Sequence, residues 1–87
     1  MTVSTKFDTA EAESIAAEIG IDWKIVPFDV EQFRMGLEVE LEHGAHDPET
    51  DVTHDDPIVT GKIAWAHLKE LPDYYTRLAA MEAEAEI

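Results

Sequence analysis

The chain has 87 residues, of which 6 are Lys or Arg and 20 are Asp or Glu, for a formal net charge of −14. A chain this short forms one domain that buries roughly 60% of its unfolded surface, which excludes a second core or a lidded substrate domain. So negative a surface repels phosphate backbones and excludes direct nucleic-acid binding, while a hydrophobic fraction of 45% is ample for a globular core.

There is no cysteine, so disulfides, thiolate metal sites and cysteine nucleophiles are out, and any metal must use His and carboxylate. Met1–Lys6 carries no apolar signal region, and no segment approaches the ~18 apolar residues of a membrane span. No membrane partner is expected, and the location is expected to be cytoplasmic. The charge fits either salt adaptation or a surface that meets a basic partner.

The first helix signal is Asp8 with Glu11 three residues on, the capping-box spacing, followed by Ala12, Ile15, Ala16 and Ile19 before Gly20. These predict a helix over about 9–19. Residues 21–27 read as a connector rather than an edge strand, because no second strand is available for pairing. Asp29 as N-cap, Gln32 at the capping-box position and a Phe28/Phe33 staple start a second helix. It is expected to run to His43 and stop at Gly44 as a left-handed cap. Residues 45–56 hold five acids, no Lys or Arg, and many turn formers, so they read as a long acidic loop. Asp56 and Pro57 then open a third helix that ends near Leu71 and Pro72, and a fourth follows from about Asp73 through Leu78 and Met81. The expected fold class is all-α, a single domain of about four helices over 1–87, with an ordered core at about 8–82.

On a helical wheel Phe33, Leu37 and Leu41 of the second helix oppose Arg34, Glu38 and Glu42, yet Glu40 falls among the apolar set. His43 sits one turn on from Glu40, and Gly36 leaves room beside them for a close approach. In the third helix Ile63, Ala64, Leu68 and Leu71 share a face near His67, flanked by Glu70. Glu-x-x-His and His-x-x-Glu on neighbouring helices supply ligand types suited to zinc, iron or manganese, with Glu40, His43, His67 and Glu70 as the set. The simpler reading is an inner polar network in which Glu40 and His67, with Asp73 and Tyr75, fix the helix register without metal. A third reading is a proton-transfer pair. Asp47, Glu49, Asp51 and Thr53 alternate like a calcium loop, but the sixth-position glycine and twelfth-position Glu are missing, which excludes an EF-hand. Trp23 and Trp65 read as core, with Trp65 facing away from His67 on the wheel and available to cover the connector or a partner.

The segments at 33–44, 51–53 and 62–78, which include Glu-His-Gly and His-Leu-x-Glu-x-Pro-Asp-Tyr-Tyr, resemble a small bacterial and phage family known as a domain of unknown function. The resemblance covers about residues 28–82. It implies a small helical protein without an established activity, and its motif residues here are Glu40, His43, His67, Glu70, Asp73 and Tyr75. No Ser/His/Asp arrangement in a suitable context accompanies them. The functional expectation is therefore a non-enzymatic protein-binding module, an inhibitor-like chain that occupies a basic surface. Glu38, Glu42, Asp47, Glu49, Asp51 and Asp55 are the partner surface. Self-association and a metal-binding helical protein are the competing expectations.

Overall fold

Three aspartates set the starts of the first three helices in the computed structural model, which describes residues 7–85. The expectations for Met1–Lys6 and for the last two residues lie outside this range. Helix α1 (Thr9–Ile19) begins with a reciprocal capping box: Asp8 accepts from the Glu11 amide at 2.8 Å and Glu11 accepts from the Asp8 amide at 2.9 Å. It ends at Gly20, whose φ of 98° lets its N–H turn back to Ala16 and Ala17. The connector holds no strand; Asp22 folds it into a turn by accepting from the Lys24, Ile25 and Val26 amides.

Helix α2 (Val30–Glu40) is capped by Asp29, which accepts from the Gln32 amide at 3.0 Å. The Gln32 side chain leaves the capping-box role and donates to Thr76 Oγ1 instead. In helix α3 (Pro57–Glu70), Asp56 accepts from the amides of Ile58 and Val59, and Pro57 sits in the first turn where no donor is needed. Leu71 is already extended ahead of Pro72, so the chain turns into helix α4 (Tyr74–Ala85). Among the described residues there are four α-helices and no strand, and no helix is long and apolar enough to cross a membrane.

One expected boundary is corrected. The second helix stops at Glu40, and Leu41–His43 form a 3-10 turn. Gly44 is extended, with φ −103° and ψ −157°, not left-handed. Its lack of a side chain serves a different end: a Cβ there would collide with the Asp55 carboxylate, which accepts from the Ala45 amide at 3.0 Å. Val52 donates its amide to His43 O at 2.7 Å. The segment between α2 and α3 thus folds back on the helix end, and the left-handed residues are His54 (φ 52°) and Asp55 (φ 62°).

The core draws Ala12, Ile15 and Ala16 from α1, Phe33 and Leu37 from α2, Ala64 and Leu68 from α3, and Tyr75 from α4. Trp23 joins it edge-on to Phe28 and Phe33. Helices α2 and α3 form the most extensive pair, α1 packs on both, and α4 lies against α2. Gly36 makes that last approach possible, since a Cβ built there would sit 2.5 Å from Tyr75 Cε2 and 2.9 Å from Ala64 Cβ. Gly36→Ala is therefore expected to destabilise the fold by about 1–3 kcal/mol through overpacking, read from urea unfolding. An unchanged midpoint would show that α4 yields without cost.

Candidate site around Glu40, His67 and Tyr75

A carboxylate on the apolar stripe of an amphipathic helix must find donors or lose several kcal/mol to desolvation. Glu40 ends α2 on that stripe and is 3% exposed. Tyr75, carried by the first turn of α4, donates its hydroxyl to Glu40 Oε2 at 2.7 Å. His67, on the last turn of α3, places Nδ1 2.9 Å from the same oxygen and 3.0 Å from the Tyr75 hydroxyl. Three helices therefore converge on one carboxylate oxygen.

The phenol donates to the carboxylate, so the imidazole serves best as the Nδ1–H tautomer, which leaves a lone pair on Nε2. That nitrogen makes no hydrogen bond among the described residues and reaches solvent, because the ring is 35% exposed rather than enclosed. Tyr74 stacks on the imidazole at 4.4 Å between centroids, and Tyr75 meets it edge-on. Burial first, and then the hydrogen bond to Glu40, push the Tyr75 phenol far above its ordinary value of 10.0. The geometry can hold a proton in place and orient an imidazole.

The structure does not gather the other expected residues. His43, shifted by the 3-10 turn, is 54% exposed and stands 3.8 Å from Glu40 Oε1. Glu70 is exposed and makes no ion pair or hydrogen bond among the described residues. Asp73 lies outside the network: its carboxylate bonds Arg77 Nε at 2.8 Å, which holds its pKa low. The four expected ligands are thus not gathered in this structure. Among the described residues no group of three or more His, Asp or Glu side chains is arranged to hold an ion such as zinc, iron or manganese. The reason is local: the donors that satisfy Glu40 Oε2 are a phenol and an imidazole, and the wheel position of Glu70 takes it to water.

The acids of the expected partner surface divide into two groups. Glu38, Glu42 and Asp55 meet Leu41 and His46 around a depression of about 290 Å³. Asp47 and Asp51 are bound locally, to the Glu49 amide and to the His54 amide and ring, and Glu49 is exposed. Trp65 is half-buried with the Lys69 ammonium 4.6 Å over its ring. The sequence reading missed the role of Leu41 as the apolar floor of the depression and the Tyr74 stack on His67. The His67/Tyr74 spacing across Pro72 carried the second signal, since the turn at 71–73 brings the two rings back together.

A family model covers residues 12–84. The chain belongs to a family described as a protein of unknown function (DUF5661). No curated protein and no solved structure matches it. The family match takes in α2 and α3 whole and most of α1 and α4, so Glu40, His67 and Tyr75 all lie within the family's own region.

Tyr75→Phe and His67→Ala are each expected to lower the unfolding free energy by about 1–3 kcal/mol, by leaving a buried carboxylate short of a donor. Both losses should shrink sharply in a Glu40→Met background, because there is then no carboxylate to satisfy. Equal losses in the two backgrounds would sink the network. The pH dependence has a definite sign. A phenol whose folded pKa is raised contributes its stability in full below about pH 10 and loses it as pH rises further. Urea midpoints should therefore fall between about pH 10 and pH 12, and fall less in Tyr75→Phe.

Proposed function

We propose that this DUF5661 protein is a non-enzymatic protein-binding module whose acidic surface takes Lys- or Arg-bearing segments of a partner. The observation that carries the reading is the depression floored by Leu41 and rimmed by Glu38, Glu42 and Asp55. A lysine or arginine needs both parts: an apolar bed for its methylene stem and carboxylates for its head. Glu38 is already engaged by Arg34, which also bonds Glu31, but two acids around one guanidinium leave a net negative site. Glu42 has no side-chain partner among the described residues and is the acid best placed to receive a cation. The overall charge of −14 extends the attraction beyond the contact and raises the encounter rate.

The geometry also selects the residues that test the idea. Asp51 and Asp55 hold the backbone of their own segment, so neutralising them perturbs structure as well as charge. Glu42→Gln combined with Glu49→Gln removes exposed charge without removing a hydrogen bond within the described residues. Binding to a Lys/Arg-rich peptide, followed by fluorescence anisotropy of the labelled peptide, should weaken steeply between about 50 and 500 mM salt, as the Debye length falls from roughly 14 to 4 Å. The double variant should associate several-fold more slowly with its helical circular dichroism unchanged. Affinity that is indifferent to salt and to both substitutions would overturn the reading.

A further inference from the structure

The last two turns of α4 are uncovered by the other described residues. Every residue from Ala79 to Ala85 is exposed, and Tyr75 is the only residue of α4 that is fully buried. One side of this helix is nevertheless apolar. Tyr74, Leu78 and Met81 follow one another along α4 at spacings of four and three, the first two half-buried against the core, and with Leu71 of the preceding turn and Arg77 they line a groove of about 200 Å³. Met81 is 57% exposed and Leu71 37%. An amphipathic stripe with this spacing is the seam of a helix pair, not a surface that water favours.

We infer that the occupant of this groove is a second copy of the chain, whose α4 lies antiparallel across it. The charges beside the stripe favour this occupant. With Leu78 opposite Met81 of the second copy, Arg77, whose partner within the chain is the exposed Asp73 carboxylate, falls beside Glu84 of the second copy, because residues 77 and 84 lie on the same flank of the stripe. The two-fold axis repeats the contact, so the only cation on each α4 meets an acid of its mate, once at each end of the seam. The antiparallel direction follows from the rest of the chain. Each body packs on the first half of α4, so an antiparallel pair sets two bodies of strong negative charge at opposite ends, whereas a parallel pair sets them side by side.

A helix of 12 residues is roughly 18 Å long. The seam therefore buries less than the ~1,200 Å² of a stable complex, and the dimer is weak and concentration-dependent. Salt acts on it in a distinctive direction. Two chains of charge −14 repel at long range, so screening strengthens this contact, whereas it weakens attraction to a basic partner.

Sedimentation equilibrium of the full chain from about 10 µM to about 1 mM, at about 50 and 500 mM salt, tests the inference. The expected mass rises from 9.8 kDa toward twice that value, and further at the higher salt. Met81→Leu should keep this behaviour, Arg77→Glu should weaken it several-fold, and Met81→Glu should remain monomeric with unchanged helical circular dichroism. A chain that stays at 9.8 kDa throughout, an association that salt weakens, or a folded Met81→Glu variant that associates like the parent overturns the inference. Dimerisation in a chain that ignores the basic peptide would remove the reading given above and leave this one standing.

Discussion

A single buried carboxylate imposes its requirements on three of the four helices. Glu40 is nearly inaccessible to water, so its charge must be met by donors delivered from elsewhere in the chain. Tyr75 and His67 meet it at 2.7 and 2.9 Å, and each comes from a different helix. That demand sets the axial position of α4 against α2 and the height of the last turn of α3. Apolar packing alone tolerates small slides between helices; a phenol that must reach one particular oxygen does not. Gly36 completes the arrangement, because the ring of Tyr75 occupies the space where any side chain would stand.

The helix starts were legible because capping is local. Asp8 with Glu11, Asp29, and Asp56 with Pro57 each act within four residues, and a sequence reading sees all of that. The end of α2 was not legible for the opposite reason. Glycine after a histidine looks like a left-handed cap, but Gly44 is small to admit Asp55, eleven residues on, and only the folded chain brings those two together. The site divides in the same way. Glu40 was visible as an acid on an apolar stripe, and Tyr75 and His67 are its partners in space. Glu70 was grouped with them by wheel position, which resolves angle and nothing else, and Asp73 by its place in the shared motif. Asp73, just ahead of α4, has a nearer claim from Arg77 in the first turn of that helix.

The chain also shows how an acidic protein keeps a core. The charged groups that approach the interior are few and each is tied: Arg34 lies between Glu31 and Glu38 and reaches Phe7 O, while Lys69 covers the Trp65 ring. The Arg34 guanidinium holds Glu31 below the usual carboxylate range. Elsewhere the acids stand in water or at helix starts, where the macrodipole favours them.

The segment from Gly44 to Asp56 has no helix or strand, yet its backbone is tied at both ends by His43 O with the amides of Val52 and Thr53, and by Asp55 with the Ala45 amide. The His54 and Asp51 contacts close it further. A free loop must lose roughly 1–2 kcal/mol of backbone entropy for every residue that a contact immobilises. Here that loss falls on folding, so the backbone that carries the segment's carboxylates is already ordered. Any contact made on this segment would then cost side-chain entropy alone, with little backbone freedom left for adjustment to a different spacing.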